Sequence, residues 1–494
     1  MSMNANFIFF MRKWLLGYLC LLFIIFGCKK LAKVDAPVTN VTGQSVFQSD
    51  VTAIALLTSI YAKISSTPFN DIAGLTSITK KTGLSGDEFS LSSDATILDL
   101  QFYQNNLIAN YTPTGPDITG FEYWNICYSY IFTCNAAIEG LRSSTSLTPA
   151  VSKQLLGEAR FLRAFCYFYL ANLYGDVPLV ITTDYEVNRL LPKSAKAKVY
   201  DQVISDLQEA KKLLADNYLD GTLLKPSADR VRPTHWAAEA LLARVLLYTG
   251  DYGSAELAAT NVINHASLFN LTPLEQTFLA NSAESIWQLQ PVNLNGDQFW
   301  NTEDAKLFVL TADPIGLSSD KPVYLSPSLL AAFENGDNRL ITWVGLYTDG
   351  SGSYYFPYKY RVAAPESSVT EYLTVLRLAE QYLIRAEARA QQNNISGAQN
   401  DLNFIRTRAG LPQTNASDKT ALLTAILHER QVELFAEWGH RWFDLKRTGN
   451  IDVVMSIVTP SKANGAPWRS FQQWYPLPAQ DIERNPNLTQ NAGY

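Results

Sequence analysis

One seven-residue pattern recurs along the chain and limits the folds open to it. Gly157-Glu158-Ala159-Arg160-Phe161-Leu162-Arg163, Ala238-Glu239-Ala240-Leu241-Leu242-Ala243-Arg244 and Ala379-Glu380-Gln381-Tyr382-Leu383-Ile384-Arg385 all read small-Glu-x-x-large-x-Arg. The second and third copies are followed by another helix start, at Ser254-Ala255 and Gly397-Ala398. Each unit is therefore expected to be two antiparallel helices, with alanines allowing close approach. A single pair cannot bury its own apolar face, so such units stack. The stops agree: Tyr248-Thr249-Gly250-Asp251 and Tyr174-Gly175-Asp176-Val177-Pro178 place a glycine where a helix must end. Before the latter runs an apolar stripe of Phe161, Ala164, Phe165, Phe168 and Leu173. A first pair is read at Val51–Ile64 with Phe121–Ile138, and a helix from Asp418 to about Trp438 caps the array. The expectation is a mostly α fold of four tetratricopeptide-like pairs in a superhelical scaffold. At 494 residues, 47% hydrophobic and 17% charged, the chain can bury such a frame.

Two stretches break the helical period. Residues 67–120 are rich in Ser, Thr, Gly and Asn; residues 280–369 are rich in Gly, Asp, Pro and aromatics. Long irregular insertions on a regular scaffold usually carry function. The start of the chain is of another kind. Arg12 and Lys13 precede the apolar run Trp14 to Phe26, which ends at Gly27-Cys28. That run is shorter than the ~20 residues a membrane span needs. It reads as a signal peptide over residues 1–27, with Met11 the better start, ahead of a single domain over 28–494. The cysteine after a small residue resembles the bacterial lipobox, in which Cys28 would be lipidated. Ile25 and Phe26 are not the usual residues there, and Lys29-Lys30 replaces the acidic stretch that often accompanies surface export.

Further blocks point to a family. Arg160 to Phe168 with Leu173-Tyr174-Gly175-Asp176-Val177-Pro178-Leu179 resembles the signature helix of SusD/RagB proteins. So do Leu402-Asn403-Phe404-Ile405-Arg406-Thr407-Arg408-Ala409-Gly410-Leu411-Pro412 and Gly439-His440-Arg441-Trp442-Phe443-Asp444-Leu445-Lys446-Arg447, with Tyr475-Pro476-Leu477-Pro478 and the tail Asn485 to Tyr494. These blocks lie in family order from about Ala36 onward. The resemblance implies an outer-membrane lipoprotein, lipid-anchored and facing the cell exterior, with a helical fold and no cofactor. It also implies a seat on a SusC-like, TonB-dependent transporter, to which bound oligosaccharides are delivered.

Sugar capture needs aromatic faces for pyranose C–H groups and amide or charged groups for the hydroxyl rim. The irregular stretches offer Tyr103 and Asn105 in Phe102-Tyr103-Gln104-Asn105-Asn106, Phe299 and Trp300 in Asn295-Gly296-Asp297-Gln298-Phe299-Trp300-Asn301, and Trp343 beyond. For the tryptophans, core packing is the competing reading. Glu158/Arg163, Glu239/Arg244 and Glu380/Arg385 are expected to be inter-helix ion pairs, and Glu429, Arg430, Arg441 and Asp444 a structural network. Asp87-Glu88 and Glu303-Asp304 are the loop carboxylate pairs of note. Adjacent residues in an extended segment face opposite ways, so neither pair makes a glycosidase dyad. Cys127, Cys134 and Cys166 read as free buried thiols, since a Cys127–Cys134 bridge would need a broken helix. Four scattered histidines suggest no metal site, no DxDxDG loop supports calcium, and a net charge of −6 without basic runs speaks against nucleic acid. No catalytic residues are assigned. The alternative reading is a tetratricopeptide-like scaffold lipoprotein that binds peptide or protein partners.

Overall fold

The computed structural model describes residues 45–65, 78–109, 122–292 and 299–494. The expected leader, Cys28 and residues 293–298 lie outside them. Chain order gives helices α1 (Asp50–Ser65) and α2 (Ile78–Ser85), strand β1 (Phe89–Leu91), and helices α3 (Ile97–Tyr103), α4 (Glu122–Ser143), α5 (Pro149–Tyr174), α6 (Lys196–Leu213), α7 (His235–Thr249) and α8 (Tyr252–Ile263). Then come β2 (Ser285–Leu289), α9 (Glu303–Phe308), β3 (Val323–Leu325), β4 (Val344–Asp349), β5 (Gly352–Pro357) and β6 (Leu373–Arg377). Helices α10 (Leu378–Gln391), α11 (Ile395–Arg408), α12 (Lys419–Glu433), α13 (His440–Arg447) and α14 (Ile451–Lys462) complete the main elements. The chain is mostly helical, with small two-stranded sheets among the described residues.

The frame is a run of neighbours: α4 packs on α5, α5 on α6, α6 on α7, α7 on α8, α8 on α10, and α10 on α11 and α12. Helix α1 lies against both α4 and α5. Pro149 opens α5 at its first turn, where a missing N–H costs nothing. From Gly157 to Tyr174 every residue of α5 is buried, as expected of a helix covered on all sides. Gly175 and Gly250, at φ +78° and +80°, end α5 and α7 with a backbone that residues with a Cβ seldom adopt.

The recurring Glu and Arg bridge helices, except that Glu158 pairs with Arg232 on the segment ahead of α7. Arg163 of α5 makes 2.8 and 2.7 Å bonds to Asp206 of α6, while Glu158 receives Arg232 at 2.8 Å. Arg244 of α7 grips Glu380 of α10 through bonds of 2.7 and 2.6 Å. Arg385 of α10 does the same to Asp401 of α11 at 2.9 and 2.7 Å, and Glu239 takes Lys211 and Asn261. Arg430 and Asp444 pair at 2.7 Å, Arg441 holds Asp87 at 2.9 and 2.7 Å, and Arg339 reaches Glu429 at 2.6 Å. Cys127, Cys134 and Cys166 are free and buried.

One helix is shorter than its sequence suggests. The run expected to reach Trp438 stops at Glu433, because Ala436, Trp438 and Gly439 take φ of 51°, 46° and 77°. The N–H groups freed by that turn are not orphaned: Ala436 donates to Glu88 at 3.1 Å and Trp438 to Thr79 at 3.1 Å. Tertiary partners outweigh local helix propensity here.

Candidate functional site

The two irregular stretches meet through backbone pairing. Strand β1 of the first runs antiparallel to β3 of the second, with Ser90 opposite Tyr324. Strand β5, paired with β4 in a hairpin, packs beside β3. Strand geometry turns alternate residues to one face. Tyr324 is flanked by the buried Val323 and Leu325 and is itself half-buried, as is Tyr354 on β5. Their rings meet edge to face at 5.2 Å.

Tyr103 joins them from the end of α3. Thr96 caps that helix, accepting from the Asp99 N–H at 3.2 Å, and Asp99 pairs with Lys80 and Lys81 of α2 at 2.9 and 3.1 Å. The last residue of α3 is thereby fixed beside β1. Burial, and then the neighbouring Tyr324, raise the Tyr103 hydroxyl pKa, while a hydrogen bond with Ser90 lowers it. The Lys462 ammonium sits 4.7 Å from the Tyr103 ring. Hydroxyls ring the outer edge: Ser351 and Tyr354 lie 3.0 Å apart, as do Thr348 and Ser353. Half-buried phenol rings edged by hydroxyls suit a ligand with apolar faces and a polar rim.

The other expected site residues divide. Phe299 and Trp300 are half-buried on the loop ahead of α9, whose Phe308 packs on Phe89 of β1 at 5.3 Å. The Phe299 carbonyl accepts from the Glu366 N–H at 3.0 Å, and its N–H donates to the Glu366 carboxylate at 3.2 Å. The Lys306 ammonium lies 3.8 Å from the Trp300 ring and 3.6 Å from Glu303. Among the described residues the buried Nε1 of Trp300 has no hydrogen-bond partner. Burial pushes Glu303 up to about 7, and pushes Asp304 well above the carboxylate range with help from the Glu303 charge.

Asn105 and Trp343 lie in the interior. Asn105, 3% exposed at φ 53°, ends α3 in the left-handed conformation that asparagine tolerates. Its side chain donates to the Ser85 carbonyl at 3.0 Å, and its own carbonyl accepts from Gln472 at 2.7 Å. Trp343 is 1% exposed, its Nε1 bonded to the Leu274 carbonyl at 2.9 Å. Lys359 at 4.8 Å, Arg408 at 5.8 Å and Arg377 at 5.9 Å crowd the ring, and Phe278 lies edge-on at 5.5 Å. Neither residue offers a ligand a free surface.

The carboxylate pairs also diverge. Asp87 is taken bidentately by Arg441, whereas Glu88 accepts the Ala436 N–H and is pushed up to about 8 by burial and the Asp87 charge. Tyr324 and Tyr354 were not legible as site residues. Their only signal is tyrosine on short strands flanked by turn residues, and the pairing that unites them is long-range.

Residues 41–247 match a family model described as starch-binding, associating with the outer membrane, and residues 344–494 match the model of the SusD family. The chain belongs to the SusD family. It is 23% identical over 97% of its length to SusD-like protein P25 of Formosa agariphila, covering 98% of that protein. It is 24% identical to the starch-binding protein SusD of Bacteroides thetaiotaomicron, over 72% of this chain and 75% of that one. Its fold is similar to surface glycan-binding protein A from Bacteroides uniformis, with TM-score 0.72 and 21% identity over 90% of this chain and 99% of that one. Among the described residues no helix is long and apolar enough to cross a membrane.

Proposed function

We propose that this protein is an outer-membrane surface lipoprotein that binds oligosaccharides without changing them. The observation that carries the reading is the meeting of Tyr103, Tyr324 and Tyr354 where the two irregular stretches pair. Three phenol rings from separate elements give stacking faces, and the serine and threonine hydroxyls around β4 and β5 give hydrogen bonds to a sugar rim. Phe299 and Trp300 extend the same lobe; a sugar stacking on Trp300 would first have to displace Lys306. The names of two similar proteins, a starch-binding protein and a surface glycan-binding protein, agree with this class of ligand.

Cys28 is the proposed lipid anchor, since its leader stops at the place where a lipoprotein signal is cut. Delivery of the captured oligosaccharide to a SusC-like TonB-dependent transporter completes the proposal, supported by the family's association with the outer membrane. No bond-making or bond-breaking step is proposed. The test is a glycan array followed by calorimetric titration of the protein and of Tyr103→Ala with the strongest ligand found. The reading expects about tenfold weaker binding by the variant, as for the loss of one stacking contact of ~1.4 kcal/mol. An array without carbohydrate signal overturns it.

A further inference from the structure

A second concavity lies away from the tyrosines. It opens between α1, the 219–232 segment and the residues that follow β2, with a volume of about 230 Å³. None of the tyrosines above lines it. Pockets for drug-sized ligands run ~300–1,000 Å³, so this one takes a single small unit rather than a chain.

Its walls are held in place by partners behind them. Arg232, 7% exposed, donates to Glu158 at 2.8 Å and to the Thr58 hydroxyl at 2.6 Å, and lies 5.7 Å from the Tyr61 ring. Tyr61 in turn donates to Glu158 at 2.9 Å. Asp229 is fixed through one oxygen by Asn281 at 2.8 Å, and Asp220 has one oxygen occupied by the Thr222 N–H and hydroxyl at 3.0 and 2.7 Å. Among the described residues the second oxygen of each carboxylate accepts no hydrogen bond, which leaves it for a ligand. The Ser227 hydroxyl accepts the Asp229 N–H at 3.0 Å, which leaves its own proton to donate. The remaining wall is apolar, with Leu219, Val231 and Leu289 beside Tyr61.

We infer that this pocket is a separate binding site for one uncharged hexose. Carboxylates accept paired hydroxyls, Ser227 donates one, and the apolar wall takes the ring's C–H face. The charge of Arg232 is already met by Glu158, so Asp220 and Asp229 leave the pocket acidic and a uronic acid is repelled. The inference rests on the glycan-binding reading but uses none of its residues.

The test is calorimetric titration of the protein with glucose, galactose, mannose and galacturonate. Two variants keep the fold outside the question. Asp229→Asn preserves the acceptor for Asn281. Gly221→Trp adds bulk at the lining where a Cβ meets nothing within 4 Å. One neutral hexose should bind at one site, galacturonate about tenfold more weakly, and each variant should weaken the hexose about tenfold or abolish it. Absence of hexose binding, indifference to both variants, or equal binding of galacturonate overturns the site. Oligosaccharide binding that is weakened in Tyr324→Ala, with no hexose bound by the parent protein, sinks this pocket and keeps the glycan reading. Absence of any sugar binding sinks both.

Discussion

The helical frame and the irregular lobe solve opposite problems with the same residue types. In the frame, charged side chains are buried and matched: Arg244 and Glu380 are each 1% exposed and bound to one another, and the motif that contains them recurs because each copy fixes a neighbouring helix. In the lobe, aromatic side chains stop half-buried. Tyr103 and Tyr324 follow buried residues along the chain and Tyr354 lies between exposed ones, yet all three are only partly covered. Burial with matched charge gives rigidity and register. Partial burial leaves surface for something else to cover. The contrast separates holding from recognising within a single chain.

The contrast can be broken, and the frame gives the largest effect. Arg244→Ala strands Glu380 without its partner in the core and should cost about 3–5 kcal/mol in denaturant unfolding. A loss under 1 kcal/mol would mean that the repeated ion pairs do not hold the helices. Arg441→Ala, which frees Asp87 at the border of frame and lobe, should cost about 2–3 kcal/mol while the folded fraction keeps its glycan affinity. A variant as stable as the parent removes that residue from the structural network.

A smaller, pH-dependent effect belongs to Glu303 beside Trp300. Its folded pKa of about 7 lies above the ordinary value of 4.5, so the folded state binds the proton more tightly. The stability this contributes is complete below about pH 4.5 and is lost as pH rises through about 7. Glu303→Gln, which does not titrate, should therefore gain about 2–3 kcal/mol on the parent protein between pH 5 and pH 8. A constant difference across that range contradicts the burial of this carboxyl. Least of all, Tyr354→Ala should cost under about 1 kcal/mol of stability, the worth of one edge-to-face contact. A larger cost would place Tyr354 with the frame.

Much of the frame was legible because its signals are local and repeated. The glycines at 175 and 250 end helices where expected, and the Glu and Arg positions reach across to neighbouring helices. The failures share one cause, a long-range contact overriding local pattern. The run through Trp438 looks helical, yet Glu88 and Thr79, remote in sequence, capture its freed N–H groups. Trp343 sits in a stretch that reads as a loop, but Lys359, Arg377 and Arg408 draw its ring into the core. Asn105 looked like a sugar-binding amide and instead closes a turn. Tyr103 was visible beside its amides. Its partners Tyr324 and Tyr354 were not, since only the pairing of β1 with β3 brings them to it.

The division between frame and lobe is tested most directly by Tyr324→Ala, followed by thermal unfolding and by calorimetry with the best oligosaccharide from an array. The account predicts a Tm within a few degrees of the parent protein and binding about tenfold weaker. Unchanged affinity in a fully folded variant would contradict it.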